Sequence, residues 1–405
     1  MKVTEINKLG QPLAVMLPMI MLGTLSWAQG EQPKPTIAKI EGNIFRPAKL
    51  QPTDAMMENL KIAEGFEITA VAEGLQAPRM LALAPGGGIY VTRRAPFNDV
   101  HLIRDADGDG VLEVKDRLVT LPDVHGIAVR DGKVYLAAIR DLYVADIAGD
   151  GTFSEMRKLC DDLPDAGQHP NRTIEFSPEG ELFLSVGSTS NDAPEPNKES
   201  ATMLKVSLDG KKREIYATGL RNTIGFAWHP INKRFYGMDH GIDWLGDDSQ
   251  REELNELKPG LNYGWPFVFE DGKHNPSRDP AETTGKTRAE YAAECEAPVG
   301  TYTAHSAPMA LLFPTAKFFA DEVAGDGLVT LHGSWNRGTA SGYEVVRVRL
   351  GKDGASATFH PFISGFFLEN EKGQFGRPCD LIEDRDGSVL MSDDSGGRVY
   401  RIKRK

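Results

Sequence analysis

A short unit recurs six times along this chain: an apolar run, a Gly/Asp/Pro turn, and a second apolar run. The turns fall at Pro85-Gly86-Gly87-Gly88, Arg130-Asp131-Gly132, Ser177-Pro178-Glu179-Gly180, His229-Pro230-Ile231-Asn232, Ala324-Gly325-Asp326-Gly327 and Asp384-Arg385-Asp386-Gly387. The runs that follow them are Ile89–Thr92, Val134–Ala138, Leu182–Val186, Phe235–Met238, Leu328–Leu331 and Val389–Ser392. Turn chemistry between apolar runs marks a β-hairpin. A hairpin repeated along several hundred residues predicts an all-β fold, a six-bladed β-propeller with four-stranded antiparallel blades.

Hairpin geometry then says where to look for a site. The start of the first strand and the end of the second lie at the same end of an antiparallel pair. In a ring of blades those ends converge on one face of the central channel. The residues at the starts are Arg79, His125, His169 with Arg172, Arg221 with Asn222, His305 and Arg377; those at the exits are Arg93, Arg140, Ser188, His240, His332 and Asp393. One Arg at a strand end is ordinarily just solvated. A whole ring rich in Arg and His predicts a funnel that binds a compact polyanion.

That basic funnel belongs to an acidic chain. The formal net charge is −12 over 405 residues, which argues against nucleic acid as a partner. The N-terminus carries Lys2 and Lys8, then an apolar stretch Leu13–Trp27 broken by Pro18, then Ser26-Trp27-Ala28 with small residues at the −3 and −1 positions. Residues 1–28 are therefore expected to be a secretory signal peptide, and the mature protein periplasmic or secreted, not membrane-spanning. Residues 29–57 read as an extended N-terminal arm, and residues 58–405 as the propeller. The three cysteines, Cys160, Cys295 and Cys379, leave at least one thiol unpaired within the chain, and no CxxCH is present to attach a haem.

Several local motifs stand against blander readings. Asp105, Asp107, Asp109 and Gly110, with Asp116 in the twelfth place, fit most of a calcium loop, but the flanking runs look like strands, so a hairpin turn is the expectation. Asp239-His240-Gly241-Ile242-Asp243-Trp244 opens a long insertion after the fourth hairpin. Its exposed carbonyls are hard oxygen ligands suited to Ca²⁺, or else it is a solvated acidic loop. Trp335 and Arg337 could stack over a planar ligand and anchor an anion, or Trp335 could fill space between blades. His169, beside Arg172, is the residue best suited to take a proton near neutral pH.

Four segments carry a family resemblance: Gly219-Leu220-Arg221-Asn222 through Trp228-His229-Pro230, Asn262-Tyr263-Gly264-Trp265-Pro266, His332 through Arg337, and Gly376-Arg377-Pro378. Together and in order they resemble the soluble pyrroloquinoline-quinone sugar dehydrogenases, most closely the sorbosone dehydrogenase branch, from roughly Glu58 to the C-terminus. The resemblance implies a six-bladed propeller, a tricarboxylate quinone cofactor and Ca²⁺. It implies that His169 is the general base, that Arg221 is catalytic and with Asn222 binds the cofactor, and that Arg377 grips a cofactor carboxylate. The carbonyls of Gly241 and Ile242 would hold the ion, with Asp243 supporting it; Ile242 departs from the Pro usual in the glucose enzymes. Those enzymes also use a Lys near the fifth blade, where this chain has Ser334-Trp335-Asn336-Arg337, and Arg337 is the residue offered in its place. The implied activity is oxidation of an aldose or aldehyde sugar, with electrons passed to an external acceptor such as a cytochrome or a quinone. A non-catalytic propeller binding a carbohydrate or protein, and a Ca²⁺-dependent lactonase, are the alternative readings.

Overall fold

The structure, a computed structural model, describes residues 42–165, 167–315, 318–319 and 325–405, all within one compact unit, Ala38–Lys405. The signal segment, the arm before residue 42 and Ala324 of the fifth turn lie outside the described residues. Six four-stranded antiparallel blades form the ring, one per hairpin of the sequence. From the innermost strand outward, blade 1 is Pro78–Leu83, Ile89–Arg93, Asp99–Arg104 and Glu113–Thr120, and blade 2 is Gly126–Arg130, Lys133–Ala137, Leu142–Asp146 and Arg157–Cys160. Blade 3 is Ile174–Phe176, Leu182–Val186, Thr202–Val206 and Arg213–Thr218, and blade 4 is Gly225–Trp228, Phe235–Asp239, Glu252–Glu256 and Gly300–Tyr302. Blade 5 is Pro308–Leu312, Gly327–Leu331, Glu344–Leu350 and Ala357–Ser364, with Lys61–Ile62 added at its edge.

Blade 6 closes the circle. Its inner strands Pro378–Glu383, Val389–Asp393 and Arg398–Arg404 come from the C-terminus, and its outer strand Phe66–Ala72 comes from the N-terminal side. A ring closed this way hides the edge that an open sheet would present. Phe66 anchors the closure, its ring centroid 5.1 Å from that of Phe318 and 5.0 Å from that of Phe362.

Each blade is apolar on both faces, so the core divides between neighbours. Leu102 and Leu136 belong to the cluster between blades 1 and 2, Leu184 and Val144 to that between blades 2 and 3, Phe226 and Phe183 to that between blades 3 and 4. The remaining gaps are filled in the same manner around Leu331 and Met238, Val345 and Met391, and Val91 and Val399. Burial between blades therefore holds the ring, and no single blade is stable alone.

A second device stitches the inner strands at the funnel end. The first strand slips register after Pro78, Pro308 and Pro378, prolines that have no N–H to give a ladder. A hydroxyl on the second strand fills the gap: Thr92, Ser185, Thr330 and Ser392 accept from the backbone N–H of Met80, Thr173, Ala310 and Asp380 at 3.0, 3.3, 2.9 and 2.9 Å. Three of them also donate to the next blade: Thr92 to the His125 carbonyl at 3.0 Å, Ser392 to the Arg79 carbonyl at 2.5 Å, and Thr330 to the Cys379 carbonyl. Removing one such hydroxyl orphans a buried donor and a buried acceptor, which costs about 1–3 kcal/mol.

The turn expected at 105–110 is a hairpin, and the expectation for the arm changes. Asp116 lies inside the outer strand of blade 1, opposite Leu102, so it is not part of the 105–110 turn. The carboxylates of Asp105, Asp107 and Asp109 accept N–H groups of their own turn, as in a plain Asp-rich hairpin. The described part of the arm is not a free linker either: Ala48–Lys49 pairs in parallel with Gly373–Gln374, and Phe45 N–H donates to the Trp335 carbonyl at 3.1 Å. No helix among the described residues is long and apolar enough to cross a membrane. All three cysteines are free thiols.

Candidate active site at the funnel

The ring of strand ends comes together around Arg79. From the start of blade 1 its guanidinium reaches across the axis to three other blades. Nε donates to His125 Nε2 at 3.3 Å; Nη1 lies 2.6 Å from Asp394 Oδ2, 3.4 Å from Cys379 Sγ and 3.5 Å from His332 Nε2. Arg79 is 3% exposed, so this ion pair is a buried plug. His332, Cys379 and Asp394 are close enough together to bind a metal, but Arg79 Nη1 already sits among them. The surrounding cations hold the Asp394 carboxyl well below the usual carboxylate range despite burial. Burial, with Arg377 nearby, pushes His332 down to about 3.

On the next arc, His169 and Asn222 flank Gly187. A Cβ on that glycine would fall 2.6 Å from His169 Cβ and 3.0 Å from Asn222 Oδ1, so only Gly permits the approach. His169 Nδ1 lies 3.0 Å from the Ser188 carbonyl and 2.8 Å from its Oγ. A carbonyl can only accept, so Nδ1 carries the proton and Nε2 holds the lone pair. Burial, then the charge of Arg221, push the imidazole down to about 2, so it is neutral, with Nε2 unprotonated, throughout the neutral range. Arg172 is fully buried and donates to the carbonyls of His169, Asn171 and Pro164 at 3.0, 3.2 and 2.9 Å. It braces the His169 turn and does not face the funnel as a binding cation. His240 repeats the pattern of His169: its Nδ1 donates to the Asn222 carbonyl at 2.7 Å, and burial lowers it to about 4.

Arg221 and Asn222 are set by Asp239, the last residue of the second strand of blade 4. Its carboxylate accepts both backbone N–H groups at 2.8 Å and the Thr223 hydroxyl at 2.8 Å. The Arg221 side chain is held by the Asn191 carbonyl at 3.0 Å, Asn191 Oδ1 at 2.8 Å and Asp243 Oδ2 at 2.9 Å. Asp243 Oδ1 accepts from Asn336 at 2.6 Å, and His305 Nδ1 lies 3.8 Å away. Asp243 is thus the hub that orients Arg221, and any ion bound there would share oxygens already engaged. The adjoining backbone is tightly constrained. A Cβ on Gly241 would fall 1.8 Å from the Gln250 carbonyl, while Trp244 and His305 sit at φ of 72° and 64°. Among the described residues no hydrogen bond is received by the Gly241 or Ile242 carbonyl, which fits a pair of oxygens free for a hard cation.

Arg377 donates through Nε to the His332 carbonyl at 2.8 Å and through Nη2 to the Gly333 carbonyl at 2.9 Å. Its Nη1 has no partner among the described residues, and Arg377 lines a cavity of about 390 Å³ with Arg46, Pro47, Trp335, Tyr343 and Gln374. Trp335 therefore lines the funnel rim, with Trp244 edge-on at 5.2 Å.

Three expected ring members, and Arg337, lie elsewhere. Arg337 commits four of its five N–H groups to the carbonyls of Thr339, Ala304 and Asp247 and to the Asp248 carboxylate, so it braces the insertion loop. Arg140 is exposed, and Arg93 is paired with Asp99 at 2.7 Å. The Asp393 carboxylate serves the backbone N–H groups of Arg377, Ser395 and Gly396. The sequence reading missed Asp394, Arg94 and Arg46, while Asn191 closes the Gly187–Asn191 segment expected to leave the third blade's second strand at this face. The side chain of Arg94 reaches within 4.0 Å of Asp394. Asp394 follows the expected Asp393 by one residue; Arg46 carried no signal, because it comes in from the N-terminal arm.

Five arginines and several neutral imidazoles thus face the funnel with two carboxylates to balance them, around an aromatic rim. The donor set fits a planar polycarboxylate. The family model described as TrAA12-like matches residues 60–405. This chain belongs to that family, a family of pyrroloquinoline-quinone-dependent sugar dehydrogenases. An uncharacterized protein of Borreliella burgdorferi is 28% identical, aligned over 86% of this chain and 92% of its own length. The pyrroloquinoline quinone-dependent sugar dehydrogenase of Hypocrea jecorina is 22% identical, over 84% of this chain and 88% of its own. The calcium structure of the Trichoderma reesei carbohydrate-active enzyme of family AA12 superposes with a TM-score of 0.72 at 21% identity, covering 85% of this chain and 97% of that one.

Proposed function

We propose that this chain is a pyrroloquinoline-quinone- and Ca²⁺-dependent dehydrogenase that oxidises an aldose or related aldehyde sugar. The observation that carries the reading is His169: a neutral imidazole with its lone pair at Nε2, beside Arg221 and Asn222, in a funnel otherwise crowded with arginines. The quinone, when bound, would supply a two-electron acceptor for hydride. His169 Nε2 takes the proton of the substrate hydroxyl, with Ser188 fixing the tautomer through Nδ1. Arg221, held in place by Asn191 and Asp243, presents a preorganised cation where negative charge develops. Arg377 and Asn222 would bind the polar edge of the cofactor, and the carbonyls of Gly241 and Ile242 would hold Ca²⁺. The names of the Hypocrea and Trichoderma relatives, which carry the quinone and calcium respectively, support both assignments.

Export follows from the first 28 residues, and electrons pass to an external acceptor. N-terminal sequencing of protein recovered from a bacterial periplasm should begin at Gln29. The deciding experiment is reconstitution: apo protein with pyrroloquinoline quinone, with and without Ca²⁺, followed by dye reduction over a panel of aldoses and aldehydes. Saturable, Ca²⁺-dependent reduction is expected. Tight binding of a sugar with no dye reduction would instead make this a carbohydrate-binding propeller.

A further inference from the structure

The described arm runs as a strap along the loops of blades 4, 5 and 6. It is tied at three points. Asn43 Nδ2 donates to Asp247 Oδ1 at 3.1 Å on the blade 4 insertion. Phe45 N–H donates to the Trp335 carbonyl at 3.1 Å on the loop leaving blade 5, and Ala48–Lys49 pairs with Gly373–Gln374 just before Arg377. Gly42 packs so closely on Trp244 that a Cβ would lie 2.5 Å from the indole. Between the second and third ties sits Arg46. Its guanidinium carbon is 5.4 Å from the Trp335 ring centroid, a cation–π distance, and it lines the same 390 Å³ cavity as Arg377.

Two guanidiniums therefore line one cavity, Arg46 from the strap and Arg377 from the start of blade 6. Arg377 has Nε and Nη2 fixed on backbone carbonyls and Nη1 without a partner among the described residues, and its guanidinium carbon lies 5.7 Å from the Tyr343 ring centroid. A pair of planar cations with an aromatic wall recognises a carboxylate better than any neutral group: Arg46 can give it two parallel N–H bonds, and Arg377 adds a donor through Nη1. Arg337, the residue that the sequence offered for this place, has four of its five N–H groups engaged elsewhere.

We propose that the N-terminal strap completes a carboxylate-binding subsite at the funnel rim, with Arg46 as its second guanidinium beside Arg377. The proposal rests on the reading of the funnel as a cofactor and substrate site. The carboxylate is supplied either by the quinone cofactor or by a sugar-acid substrate, and the chemistry that binds it is the same. Losing a charge-assisted contact of this kind weakens binding about tenfold or more.

The test uses the full mature chain and its Arg46→Ala, Arg46→Lys and Arg337→Ala variants. Pyrroloquinoline quinone and, separately, the redox-inert benzene-1,3,5-tricarboxylate are titrated while the fluorescence of the nearby Trp335 and Trp244 is followed. Arg46→Ala should weaken the quinone about tenfold or more, Arg46→Lys less, and Arg337→Ala hardly at all. Unchanged quinone affinity with a raised KM for uronic or aldonic sugars, and not for neutral ones, assigns the carboxylate to the substrate and keeps the subsite. If neither quinone affinity nor sugar-acid KM moves in Arg46→Ala, the subsite is overturned while the dehydrogenase stands. If the unaltered chain binds the tricarboxylate through Arg46 but not the quinone, the subsite stands and the proposed function falls.

Discussion

The two ends of the central channel are built from the same six inner strands and have opposite chemistry. Above Arg79 the funnel gathers arginines and neutral imidazoles. Below it, toward the hairpin turns, lies a cavity of about 670 Å³ whose walls are mostly apolar: Met80, Ala82, Ile127, Phe226, Met309 and Leu311. Asp380 is buried in this lower half, and burial pushes its carboxyl up to about 7; Glu175 also lines the cavity, with its side chain exposed to it. The contrast follows from where polar groups can be satisfied. At the funnel end the register slips and the loops supply carbonyls, carboxylates and amides that hold cations in place. Mid-strand, the backbone is used up in the ladder, and a charged side chain finds few partners. Chemistry is therefore confined to one face, and Arg79 with its partners is the partition.

The sharpest way to break the comparison is at His169. His169→Ala should lower turnover by roughly 10²–10⁴-fold, as for loss of a general base, while quinone affinity measured by fluorescence titration stays close to the parent's. Normal turnover in that variant would leave His240, the other neutral imidazole with Nε2 free, as the base. The partition itself comes next. Arg79→Ala leaves Asp394 buried without its ion pair, which should cost about 3–5 kcal/mol in urea unfolding; Arg79→Ala with Asp394→Asn should recover part of that.

The two ends should also respond oppositely to pH. His169 and His332 are held near 2 and 3 in the fold, against about 6.5 when unfolded, so below pH 6.5 the unfolded chain binds more protons. Their contribution is whole above pH 6.5 and is lost as pH falls toward 3. Asp380 is raised to about 7 from about 3.9, so the folded chain binds more protons in between. Its contribution is whole below pH 4 and is lost as pH rises through 7. Urea midpoints measured from pH 4 to 9 should show both limbs, and Asp380→Asn, which keeps an acceptor for Leu81 N–H, should flatten only the alkaline one. The smallest effect is expected from Arg337→Ala. Loss of its loop contacts should lower stability by about 1 kcal/mol and leave quinone binding unchanged.

Much of this was legible in the chain because it is local. Five of the six hairpin turns read from Gly, Asp and Pro lie wholly within the described residues, each between paired strands of one blade, since turn conformation is set by the turn residues themselves. The starts of those hairpins then located His169, Arg221, Asn222 and Arg377 on one face. What the pattern did not disclose is which side chains face inward and which are already engaged. Arg172 and Arg337 look like ligand cations in the sequence, yet their donors end on backbone carbonyls. Asp394, one residue past the expected Asp393, is the carboxylate that meets Arg79, because the turn after Asp393 rotates the next side chain onto the axis.

The sequence by itself determined the architecture and the face: six hairpins of apolar runs can bury both sides of every blade only in a closed ring, and strand ends must gather at its mouth. Tertiary structure alone decided the composition of the site. The plug at Arg79 joins residues as far apart as His125 and Asp394, and the strap brings Arg46 to Arg377 across most of the chain. Neither pairing has a local cause. Both depend on how the closed ring and its long loops divide a limited number of acceptors among the cations that compete for them, and that division is settled only when all six blades are in place.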